Sequence, residues 1–79
     1  MPPDGVSLYN PYILCAASQF FRAFIHPEDN VCQREFKMNT VRVPCVIFLK
    51  RQYNLELRIA CNYMKMAREW VLSTGKAIG

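Results

Sequence analysis

Hydrophobic positions along the chain fall into two stretches of helical spacing, separated by a polar segment that carries proline. In the first, Ile13, Ala16, Ala17, Phe20 and Phe24 recur every three or four residues, with Leu14, Phe21 and Ile25 beside them. Cys15, Ser18, Gln19 and Arg22 take the opposite side. Asn10 followed by Pro11 is a helix start, because asparagine caps free backbone N–H groups and proline suits the first helical position. The pattern predicts a helix over about 11–25, preceded by an extended arm at residues 1–9, where Pro2, Pro3 and Gly5 discourage regular structure.

His26, Pro27, Glu28, Asp29 and Asn30 end that helix. Proline followed by two acids also suits the first turn of another, so Val31–Met38 is expected to form about two helical turns. Asn39 and Thr40 mark the next break. Val41, Arg42 and Val43 are expected to be extended, since the residue before a proline is pushed away from helical backbone.

From Pro44 onward no proline or glycine occurs before Gly75. At about 100° per residue, Val46, Leu49, Tyr53, Leu57, Ala60, Met64, Ala67 and Val71 share one face. Phe48, Leu55, Ile59, Tyr63, Met66 and Trp70 widen it to about 200°, roughly twice the stripe that one core requires. Arg51, Asn54, Arg58, Asn62, Lys65 and Glu69 lie opposite, flanked by Lys50 and Arg68. One helix over about 44–74 is therefore predicted, closed by Gly75 in a left-handed terminal position. The expected fold is all-α: a single small domain over 1–79, either a helical hairpin or a three-helix arrangement. Its long C-terminal helix (about 44–74) joins the shorter N-terminal one (about 11–25).

Composition turns that wide apolar arc into a functional expectation. A chain of 79 residues buries only about 60% of its unfolded surface, yet 52% of this one is hydrophobic. Contiguous apolar surface left uncovered marks a contact with protein or membrane. Leu49, Tyr53, Leu57, Ala60, Met64, Trp70 and Val71 are accordingly the expected partner interface. The formal charge of +4 permits an acidic partner without demanding one. Lys50, Arg51, Arg58, Lys65 and Arg68 form a stripe suited to RNA phosphates or anionic lipid, although a charged helix face is commonly just solvated. Tyr53, Tyr63 and Trp70 lie off this stripe, so they do not make the stacking platform of single-strand binders.

Candidate chemistry adds little. Nesting Cys32 with Cys45 and Cys15 with Cys61 in a hairpin looks like the paired-cysteine helical hairpins of the mitochondrial intermembrane space. Those carry shorter, regular spacing within each helix, and here Cys15 and Cys61 sit on polar helix faces that point apart. Free cysteines acting as small hydrophobes in a reducing compartment are the expected state. None has the close neighbour of a zinc knuckle, and His26 is the only histidine, so neither a metal site nor a Cys–His nucleophile is expected. Ser73, Thr74, Gly75 and Lys76 superficially resemble a phosphate loop but close a helix instead of opening one. Glu56 falls in the apolar arc, where it is expected to pair with an arginine or lysine of a neighbour or to sit at an interface edge. No catalytic residue, cofactor or small-molecule substrate is expected.

No secretory signal or membrane span is visible, which predicts an intracellular, non-secreted chain. The expected function is a non-catalytic accessory subunit docking onto the subunits of a larger assembly. Small size, basic charge and apolar richness suggest a mitochondrial inner-membrane, respiratory-type complex, on the matrix side or associated with the membrane. Two alternatives stand beside it: an RNA-associated organellar ribosomal-type protein using the basic stripe, and a membrane-surface protein inserting Phe20, Phe21, Phe24 and Ile25.

Overall fold

Three helices account for the fold in a computed structural model that describes residues 9–79: α1 (Pro11–Arg22), α2 (Val31–Tyr53) and α3 (Leu57–Thr74). The all-helical, three-helix expectation holds, and the C-terminal helix is long. The arm expected at residues 1–9 lies, except for Tyr9, outside the described residues.

Helix α1 starts as its sequence predicts. Asn10 Oδ1 accepts from the Tyr12 N–H at 2.9 Å and Pro11 occupies the first turn. It stops at Arg22, a turn short of Ile25; Phe24 and Ile25 follow as a tight turn, and the Ile25 side chain still reaches the core. Asp29 then accepts from the His26 N–H at 2.8 Å and from Lys37 Nζ at 2.7 Å. Both contacts hold its carboxyl below the usual range. The next helix begins with a capping box, in which the Asn30 and Gln33 side chains each accept the other's backbone N–H.

From there α2 departs from expectation. It runs unbroken through Asn39, Thr40 and Pro44 to Tyr53, and Val41–Val43 is helical, not extended. The cause is a second apolar stripe: Met38, Val41, Cys45 and Leu49 are buried at three-to-four spacing and stay in register across the proline. An interior proline costs about 3 kcal/mol. Burying side chains such as Met38 and Val41 offsets this at about 1.5–3 kcal/mol each. Pro44 also sits on the exposed side, where water can satisfy the Thr40 carbonyl that loses its donor.

The helix expected over 44–74 is two helices. Asn54 adopts left-handed backbone (φ 53°, ψ 49°), and both its N–H and that of Leu55 (3.3 Å) donate to the Lys50 carbonyl. Glu56 is extended and α3 starts at Leu57. The three residues 54–56 reverse the chain, so α2 and α3 run antiparallel, with Arg68 bonded to Asn39 and Gly75 beside Arg34. Gly75 closes α3 in the left-handed conformation (φ 70°), as expected.

Helix α1 packs chiefly on α3. At one end the Asn10 N–H donates to the Tyr63 hydroxyl at 2.6 Å, with the Tyr9 ring edge-on to Tyr63 at 5.3 Å. Farther along, the buried Ser18 hydroxyl donates to the Cys15 carbonyl (2.8 Å) and accepts from the Ile78 N–H (2.9 Å), tying the segment after α3 to α1. Phe20 stacks on Phe48 at 5.1 Å where α1 meets α2. All three helices feed one core centred on Phe21, Met38, Leu49, Ala67 and Val71.

Candidate docking groove

The reversal at Asn54 changes the meaning of the apolar arc. Leu49, Ala60, Met64 and Val71, expected at a partner interface, are 0–4% exposed and belong to the chain's own core. Leu49 belongs to one helix, Ala60 and Met64 to its antiparallel neighbour, so residues expected on one surface cover each other instead. Tyr53 is partly buried against the same core. Only Leu57 and Trp70 remain largely open, at 58% and 45% exposure.

A different apolar surface stays uncovered. On α2, Phe36, Val43 and Ile47 recur at seven- and four-residue spacing, and each is exposed. This exposed stripe lies on the side of the helix roughly opposite the buried one, about 180° away when both are counted at about 100° per residue. Between α2 and α3, Val43, Val46 and Ile47 face Leu57, Cys61 and Met64 across a cleft of about 290 Å³. Met64 and Val46 form its floor, being core residues whose edges show through; Val43, Ile47 and Leu57 form its open walls.

Cations border this cleft on both sides. Arg42 and Lys50 line it directly. Arg42 is shared with an adjoining hollow walled by Lys65, Arg68 and Glu69, while Lys50 and Arg51 flank Ile47 at the other end. Among the described residues five cations thus surround the groove against one carboxylate, that of Glu69. Arg68 Nη2 donates to Asn39 Oδ1 at 2.9 Å, but its Nε–H is buried with no acceptor among the described residues. A buried donor left open in this way has a use for an acceptor brought from outside.

Of the expected basic stripe, Lys50 and Arg51 lie on α2, and Arg58, Lys65 and Arg68 on α3. The fold breaks it as a straight row and regroups it: Lys50, Arg51, Lys65 and Arg68 border the groove, whereas Arg58 does not line its walls. Arg42, Val43 and Ile47 join the site without having been singled out in the sequence. The signal for them was the 36–43–47 spacing, hidden because residues 39–43 read as a break.

The remaining chemistry is sparse. All four cysteines are free, with Cys32 exposed and Cys45 fully buried. Burial pushes the Cys45 thiol up to about 12. Among the described residues no group of His, Cys, Asp and Glu side chains is placed to hold a metal ion, and no helix is long and apolar enough to cross a membrane. Glu56, expected in the apolar arc, is exposed in the α2–α3 turn, where water relieves it of any need for a cationic neighbour. No protein family, curated protein or solved structure matches the chain.

Proposed function

We propose that this chain is a non-catalytic accessory subunit that docks onto a larger assembly by receiving an acidic amphipathic helix of a partner protein along the α2–α3 groove. The observation that carries this reading is the exposed apolar strip of Val43, Ile47 and Leu57 set between cations. Seven- and four-residue spacing of Phe36, Val43 and Ile47 matches the seam that a partner helix uses. Carboxylates flanking that partner's apolar face would meet Arg42, Lys50, Lys65 and Arg68, giving register and a faster encounter. RNA is the less suitable occupant, because aliphatic walls offer phosphates nothing and no aromatic platform accompanies the cations. A mitochondrial inner-membrane assembly remains the first setting in which to seek the partner, on the grounds of size, charge and apolar excess.

The test is zero-length carbodiimide cross-linking of the affinity-purified complex, read by mass spectrometry. The expected result is Lys50 or Lys65 joined to Asp or Glu within a helical segment of the partner. Ile47→Glu and Leu57→Glu should each abolish co-purification while leaving the thermal midpoint within the small range usual for surface substitutions. Retention of the partner by both variants would sink the proposal. Nuclease-sensitive association that weakens steeply with salt would favour RNA instead.

A further inference from the structure

Away from the docking groove, where α1 and α3 both end and α2 begins, the chain forms a half-open cavity of about 220 Å³. Arg22, His26, Arg34 and Lys76 stand in its wall together with Gly75, and among the described residues no carboxylate does. We propose that this cavity is a binding site for a phosphate monoester or the free phosphate ion. It is independent of the groove and of the partner proposed there.

Gathering Arg22, Arg34 and Lys76 from three separate parts of the chain brings like charges together, which needs compensation. Part of it is local. The carbonyl ends of α1 and α3 each carry roughly half a negative charge, so two ends together offset about one cation. Arg22 Nη1 already uses this, donating to the Ile25 carbonyl at 3.1 Å. The start of α2 adds about half a positive charge, so about two and a half positive charges remain, with His26 counted as neutral. Asp29 does not supply the balance, since it is held by Lys37 and by the His26 N–H, and Glu28 of the same turn is exposed and outside the wall.

Apart from Arg22 Nη1, the side-chain donors are free for such a ligand. The Arg34 and Lys76 side chains donate to no acceptor among the described residues. Arg34 is half-buried, its Nη1 lying 3.9 Å from where a β-carbon on Gly75 would stand, so its guanidinium folds over the end of α3. The Arg34 fork, the Nε and Nη2 donors that Arg22 has left and the Lys76 ammonium suit a tetrahedral oxyanion, since a guanidinium offers paired N–H groups to two oxygens. The Thr74 hydroxyl is not part of the set, because it donates to the Trp70 carbonyl at 2.7 Å. The space equals about seven water volumes, enough for a phosphate group but below the size usual for drug-sized ligands.

The test titrates the isotope-labelled full chain, at constant ionic strength, with inorganic phosphate, with glycerol 3-phosphate, and with phosphatidylcholine vesicles containing one-tenth phosphatidic acid. Saturable shifts confined to the backbone amides of Arg34 and Thr74–Lys76 and to the Arg22 and Arg34 Nε–H signals are expected. Arg34→Gln and Lys76→Gln should each weaken binding at least about tenfold, as losing a charge-assisted pair does. Arg34→Lys should fall between wild type and Arg34→Gln, and Lys50→Gln in the groove should change nothing. Saturation by the soluble ligands alone assigns a small phosphate, whereas preferential response to vesicles assigns a lipid headgroup. Shifts that fail to saturate in every arm, or binding unchanged in a folded Arg34→Gln variant, would overturn the proposal.

Discussion

Asn54 decides the topology, and its backbone offers a test whose sign differs between the two folds the sequence allows. A residue inside one continuous 44–74 helix would be improved by alanine, the best helix former. At the observed φ of 53°, alanine is strained by about 1–2 kcal/mol. Asn54→Ala is therefore expected to lower stability in urea unfolding, and Asn54→Gly to be neutral or slightly stabilising. A gain on going to alanine would restore the single long helix. Cysteine reactivity gives a second check at this scale. With its thiol pushed up to about 12 by burial, Cys45 carries almost no thiolate at pH 8 and has no path to reagent. Exposed Cys32 should be alkylated first, and Cys45 only at the rate of unfolding, as resolved by peptide mass spectrometry.

Pro44 raises the corresponding question for a whole element. Its side chain is exposed, and the Met38, Val41, Cys45 and Leu49 stripe holds α2 together through it. Pro44→Ala restores a donor for the Thr40 carbonyl and relieves the ring's clash with the preceding turn. Against this, the unfolded chain regains the freedom that proline removes, worth about 0.4–1 kcal/mol. A net stabilisation of about 2–2.6 kcal/mol is expected by chemical denaturation, and destabilisation would mean that α2 bends at Pro44 for a packing reason. Elements were legible in the sequence wherever a local chemical device marked them, as at Asn10–Pro11 and Gly75. Two elements were not: at Pro44 packing overrides the punctuation, and at Asn54 the punctuation overrides the periodicity. In the second case the stripe Leu49, Tyr53, Leu57, Ala60, Met64 keeps helical phase across the turn, so periodicity carries no trace of the reversal. Only the left-handed tolerance of asparagine did. The groove was half legible: four of its five cations appeared in a stripe, but Arg42 and the apolar walls require knowing that α2 runs through Pro44 and which of its two stripes the other helices cover.

For the molecule as a whole, that distinction separates residues that hold the fold from residues left over for a partner. A chain this small sits near the limit of independent stability, so surface and core must be told apart by experiment and not by hydrophobicity. Leu49 and Ile47 are two residues apart on the same helix and similar in size, yet one is fully buried and the other 43% exposed. Leu49→Ala should cost about 2–5 kcal/mol and remove partner association only by unfolding the chain. Ile47→Ala should cost well under 1 kcal/mol and still weaken association, because it trims the groove wall without opening a core cavity. Thermal unfolding and partner affinity measured on both variants therefore cross over: stability tracks the stripe containing Leu49, and affinity tracks the stripe containing Ile47. If both properties fell together at Ile47, the exposed stripe would be part of the fold. The chain would then meet its partners through some other surface.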